Sequence, residues 1–153
     1  MQMVVETVMN IVFSRGELTA AEQSTVAKGF SEHSGQVSAP EYSKQRLKWI
    51  VEGQQSAVLG ALTADVLCDW LYIDELWVSP EVRSAGLGSS LIKEAEAFAR
   101  REKLQGIWLW TQSWQAEGFY KKLGYLEFTR FENFPRGHCR IGFRKAMPPC
   151  IGS

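Results

Sequence analysis

Apolar positions recur along this chain in two rhythms, and both are clearest between Leu71 and Arg101. Leu71 to Val78 is apolar and aromatic-rich, and it ends at Ser79-Pro80, where proline cannot donate to a ladder. It reads as a strand. From near Gly86 the rhythm changes. Leu87, Leu91, Ile92, Ala95, Phe98 and Ala99 fall on one face of a helical period, and Lys93, Glu94, Glu96, Arg100 and Arg101 are expected on the other. A tight loop joins the two elements.

The rest of the chain supplies shorter elements. Met9 to Phe13 predicts a first strand, and Ser14-Arg15-Gly16 a turn. Thr19 to about Ser34 predicts a helix whose Thr19 and Glu22 form a capping-box pattern. Tyr42 to Val51 is open between strand and helix, because Leu47, Trp49 and Val51 alternate after a charged segment. Ser56 to Leu67 predicts a strand in which Gly60 implies a bulge or a close neighbour. Gly106 to Thr111 predicts a strand, Ala116 to Leu123 a short helix ended by Gly124, and Tyr125 to Phe131 with Cys139 to Phe143 a hairpin across Pro135-Arg136-Gly137. Lys145 to Ser153 reads as a tail. The order is that of one α+β domain over residues 1–153 with a mixed sheet.

Composition narrows the class. Hydrophobic residues at 45% and charged residues at 22% are globular values, and 17 basic residues balance 17 acidic ones. Net neutrality removes any global attraction to nucleic acid or membrane. No apolar run has membrane-spanning length, and the first residues lack the pattern of a signal peptide. Cys68, Cys139 and Cys150 have no metal-type spacing, so reduced thiols, a cytoplasmic location and no metal are expected.

The loop carries the chemistry. Arg83-Ser84-Ala85-Gly86-Leu87-Gly88 leads into the helix, so free backbone N–H groups and the positive end of the helix dipole converge on one place. Phosphate is the expected guest. A Walker loop is excluded, since Ser89 and Ser90 stand where its lysine would be. A dinucleotide fingerprint is excluded too, since Leu91 occupies the place of its third glycine.

What fits is R/Q-x-x-G-x-G/A after a strand ending Leu76-Trp77-Val78, followed later by Gln115-Ala116-Glu117-Gly118-Phe119-Tyr120-Lys121-Lys122-Leu123-Gly124-Tyr125. These two segments, in this order, resemble the GNAT superfamily of N-acetyltransferases over roughly Ile73 to Phe143. The resemblance implies a mixed, mostly antiparallel twisted sheet flanked by helices, with acetyl-CoA in a splay between two central strands. It implies that backbone groups of Leu76, Trp77 and Val78 hold the pantetheine arm like an added strand. It further implies that Arg83, Ser84, Ala85, Gly86, Leu87, Gly88 and Ser89 bind the pyrophosphate, with Arg83 either touching phosphate or bracing the loop.

Two side chains are candidates for the reaction itself. Tyr120 resembles the family's general acid toward the CoA sulfur; the alternative is a buried aromatic with a hydrogen-bonded tip. Glu75 is the candidate general base. Unbroken alternation places it on the side of Ile73 and Trp77, with Asp74 opposite, and a bulge would exchange the two. A solvated acid, or one that orients substrate through water, is the other reading. The family's asparagine after the second central strand is absent; Ser113 or Gln115 would replace it. The function implied is acetyl transfer to an amine of a small molecule, with a homodimer left open. A CoA-binding or sensory module without transfer is the alternative.

Overall fold

A computed structural model describes residues 10–148. The chain divides into two units, Met1–Pro40 and Glu41–Ser153. The first contains helix α1, Ala20–Gln36, and its start is the expected capping box. The Thr19 hydroxyl accepts from Glu22 N at 3.3 Å, and Glu22 Oε2 accepts from Thr19 N at 2.7 Å. The strand expected from Met9 to Phe13 does not form over residues 10–13, and Met9 lies outside the described residues. Ile11, Val12 and Phe13 are exposed, because an apolar run without a ladder partner is not a strand.

The second unit is built on a six-stranded sheet in the order β1-β2-β3-β4-β6-β5. Its strands are β1 (Lys44–Glu52), β2 (Val58–Leu67), β3 (Trp70–Val78), β4 (Gly106–Gln112), β5 (Leu126–Glu132) and β6 (Cys139–Ala146). The open segment at Tyr42 to Val51 is therefore strand. All neighbours are antiparallel except β3 and β4, which run parallel because helix α2 (Leu87–Arg101) crosses between them. Gly60 is the close neighbour expected: a Cβ there would lie 3.4 Å from Trp77 O and 3.5 Å from Leu91 Cδ1.

One face of the sheet carries Leu62, Ala64, Leu71, Ile73, Ile107, Leu109, Ile141 and Phe143, all buried. Leu91, Ile92, Ala95 and Ala99 of α2 complete this core, each large aliphatic contributing about 1.5–3 kcal/mol. Short helix α3, Glu117–Lys122, adds Tyr120, and Gly124 at φ +84° ends it. Two expectations are corrected here. Glu96 is buried rather than on the solvent face of α2, because Lys145 Nζ reaches it at 2.8 Å. Lys145 and Ala146 belong to β6 rather than to a tail, and residues 149–153, Cys150 among them, lie outside the described residues. Among the described residues no helix is long and apolar enough to cross a membrane.

Candidate functional site

The site begins where β3 and β4 stop pairing. Their parallel register runs from Trp70 opposite Gly106 to Ile73 opposite Leu109 and goes no further. Both strands continue, β3 to Val78 and β4 to Gln112, so they diverge. A bulge starts the divergence. In β2, Ala64 faces Ile73 and Thr63 faces Glu75, which leaves Asp74 as an extra residue. An extra residue bends its strand and sharpens its twist. Between the separated strands lies a cleft of about 660 Å³, lined among others by Ile73, Asp74, Glu75, Leu76, Leu109, Trp110, Thr111 and Tyr120. The inner edges of both strands face it without a ladder partner, and backbone groups in that state accept an added strand.

The loop opens onto the same path. Gly86 is the N-cap of α2 at φ +74°, a left-handed conformation that glycine adopts without strain. No side chain caps this end, and the first turn contains no acidic residue. Ser90 is the first residue whose N–H bonds back, to Gly86 O at 3.0 Å, so the N–H groups of Leu87, Gly88 and Ser89 have no intrahelical partner. Uncapped donors at a dipole's positive end fit a diphosphate. Gly88 is needed for packing, since a Cβ there would meet the Phe119 ring at 3.4 Å. Ala85 closes the preceding turn through its N–H to Val82 O, and Ser84 stands at φ +77°. Arg83 donates from Nε to Val78 O at 3.2 Å, which is the bracing contact. It also lines both the groove at the loop and the cleft. A groove of about 350 Å³ along Leu76, Trp77, Val78, Ala116 and Phe119 joins the two.

Tyr120 lines the cleft with its ring against Phe119, Tyr125 and Phe143. Burial pushes its phenol up to about 12. Glu75 also lines the cleft, but the bulge corrects the expected face: Leu76 and Val78 now join Ile73 on the core side, and Glu75 shares the opposite side with exposed Trp77. Its Oε2 accepts from the Thr63 hydroxyl at 3.0 Å at an exposed position. Glu75 is therefore a solvent-exposed carboxylate. Of the two replacements for the missing asparagine, Gln115 lines the cleft and Ser113 does not. Gln115 Oε1 accepts from Gln112 N at 3.0 Å, while Ser113 Oγ accepts from Cys139 N at 3.2 Å and braces the hairpin.

Sequence reasoning named Asp74 and the bulge that would turn it, but missed its partner. Asp74, placed in the cleft by the bulge, pairs with Arg46 Nη1 at 2.8 Å, and the same nitrogen lies 3.0 Å from Asp65 Oδ2. Nothing in a strand-alternation pattern signals this, because Arg46 comes from β1 and the bulge breaks the period. On the opposite wall Trp110 carries the Arg140 guanidinium at 5.0 Å, and Trp114 meets His138 edge-on at 4.8 Å.

Comparison with known proteins agrees with this geometry. Residues 17–125 match the pattern of the Acetyltransferase (GNAT) family. Over 86 residues the chain is 41% identical to blasticidin-S acetyltransferase of Streptomyces morookaense, a match covering 56% of this chain and 63% of that protein. The match thus spans less than two thirds of that relative's length. An acetyltransferase from Bacillus cereus superposes with a TM-score of 0.75 at 28% identity, covering 88% of this chain and 97% of the other. A Bacillus anthracis protein assigned as a streptothricin acetyltransferase, solved in complex with acetyl coenzyme A, shares the fold with a TM-score of 0.59 at 21% identity; 66% of this chain and 62% of that one are covered.

Proposed function

Because the chain belongs to the GNAT family of acetyltransferases, we propose that it transfers the acetyl group of acetyl-CoA to an amine of a small molecule. The observation that carries this reading is the continuity of the uncapped α2 start, the groove along Leu76–Val78 and the cleft beyond Ile73 and Leu109. A long cofactor with a diphosphate at one end and an extended arm fits that path. The relative named for blasticidin-S points to a small-molecule acceptor.

Acetyl-CoA, when bound, supplies an activated acetyl thioester. Leu87, Gly88 and Ser89 would hold the diphosphate through their N–H groups, with Ser84, Ala85 and Gly86 shaping the approach and Arg83 adding charge. Backbone groups of Leu76, Trp77 and Val78 would hold the arm. Tyr120 keeps its proton throughout the neutral range and is the donor toward the departing sulfur. Burial makes it a weaker acid than a free phenol, but the same apolar surroundings raise the basicity of a thiolate beside it. Glu75 accepts the amine proton, directly or through water. Both units belong to one acetyltransferase domain in this reading, since the family match runs through their boundary at Pro40. A cytoplasmic location accords with the free thiols of Cys68 and Cys139.

Thiol release from acetyl-CoA with a panel of amines is the test. Amine-dependent release supports the enzyme. CoA binding by calorimetry with no release above the amine-free rate would make the chain a binding module instead.

A further inference from the structure

The two walls of the cleft differ in charge. On the β3 wall, Asp74 and Glu75 are adjacent carboxylates that both line the cleft. Behind them stands Asp65, only 5% exposed, whose Oδ2 is held by Arg46 and, at 3.7 Å, by Lys44. Its other oxygen, Oδ1, is buried with no hydrogen-bond partner. A buried carboxylate with an unmet oxygen is costly unless cationic charge is held close to it. Arg46 supplies that charge and, through the same nitrogen, fixes Asp74. Asp74 uses only Oδ2 in this pair and remains 39% exposed, so it has capacity for a second cation. The β4 wall is aromatic, with Trp110 and Trp114. Arg140 is spread over the Trp110 ring, and Arg83, the one cation among the described residues lining the cleft, is tied at the loop end by its Nε to Val78 O.

We infer that the β3 wall recognises the acceptor, and that it selects an amine bearing a second positive charge, anchored on Asp74 beside Glu75. Arg46, locked by buried Asp65, is a positioning residue that presents Asp74 to the cleft. This rests on the acetyltransferase reading and adds the acceptor's class to it.

Three probes of similar length separate the possibilities: agmatine with a cationic tail, n-pentylamine with a neutral one, and δ-aminovalerate with an anionic one. CoA affinity, measured first by calorimetry, tests the underlying reading independently. With that in place, agmatine should be the best acceptor and δ-aminovalerate the worst. Asp74→Asn should raise the KM for agmatine about tenfold, the scale of one lost charge pair, and should reduce the preference for agmatine over n-pentylamine by a similar factor. Arg46→Leu should give a partial loss of the same kind, and Arg46→Lys should recover it. A CoA-binding protein that ranks the three probes equally, or whose preference for agmatine survives Asp74→Asn, overturns the inference. So does a CoA-loaded protein that neither acetylates agmatine nor binds it by calorimetry.

Discussion

Ile73 of β3 lies opposite Leu109 of β4, and this is the last rung on which the two strands pair. Both side chains are buried, so the rung is the floor of the cleft as well as part of the core. One residue further on, Asp74 is the bulge, and beyond it every cleft-facing backbone group of β3 lacks a ladder partner. Packing energy below the rung therefore holds open the unpaired edges above it.

At the glycine loop before α2, the structure separates shape from charge. Open space surrounds Gly86, so a Cβ there strikes nothing, but φ +74° disfavours any L side chain. Gly86→Ala should cost about 1 kcal/mol of stability and leave CoA affinity within a few-fold. Gly86→Asp adds an anion beside the expected diphosphate and should lower affinity by about a hundredfold or more in a folded protein. Calorimetry with CoA, beside thermal melts, distinguishes the two effects; unchanged affinity in the aspartate variant would remove the diphosphate from this loop.

For Tyr120 there are two separate readouts. Tyr120→Phe should lower kcat by roughly 10²–10⁴ with CoA affinity nearly kept, if the phenol donates its proton. The second readout is stability at alkaline pH. With its pKa raised from 10.0 to about 12, the folded phenol keeps a proton that the unfolded chain releases. The contribution is intact below pH 10 and is lost as pH rises toward 12, by about 2–3 kcal/mol at full effect. Tyr120→Phe should flatten part of that decline in urea titrations, while Tyr125, raised still further by burial, retains the rest.

Most of this arrangement was legible where the signal is local. The strand to Val78, the glycine loop, the amphipathic face of α2 and the segment around Phe119-Tyr120 are each encoded by neighbours in sequence, and each formed. What was illegible depends on distant partners. A bulge at Asp74 follows from β2 register, so alternation put Glu75 on the wrong side relative to Ile73. Glu96 reads as a solvent-facing charge on its own helix and is buried because a lysine 49 residues away comes to meet it. Asn10–Phe13 has strand composition and no strand to pair with among the described residues of its unit.

Glu96 accordingly predicts a stability effect separate from catalysis. It joins Arg100 at 3.2 Å and Lys145 at 2.8 Å, and Lys145 also donates to Leu123 O at 2.8 Å, tying α2 to β6 and to the end of α3. Glu96→Ala leaves the half-buried ammonium without its carboxylate and should cost about 3–5 kcal/mol. Glu96→Leu with Lys145→Met should recover most of this, since a packed apolar pair replaces a desolvated ionic one. Urea denaturation of the two variants measures the difference, and kcat of the folded fraction should stay near wild type in both.

Glu75 demands the most careful experiment, because its carboxylate has two available roles. It is exposed, lies in the cleft beside Asp74, and is oriented by the Thr63 hydroxyl at 3.0 Å. If it accepts the amine proton, Glu75→Gln keeps size and hydrogen bonding but removes basicity. The acidic limb of the rate–pH profile should then flatten, and activity should recover at high pH, where more of the amine is already neutral. Thr63→Val, which removes only the orienting donor, should lower kcat modestly and leave the shape of the profile intact. If Glu75 instead only attracts a cationic acceptor, Glu75→Gln should raise KM with an unchanged profile, and the loss should grow with the charge of the acceptor. The position of Asp74 makes this comparison decisive. Asp74 pairs with Arg46 through Oδ2 alone and keeps Oδ1 for a second cation, whereas Glu75 is bonded to a neutral hydroxyl. Matched profiles for Asp74→Asn and Glu75→Gln would mean that both are anchors, and that the amine loses its proton to water rather than to either side chain.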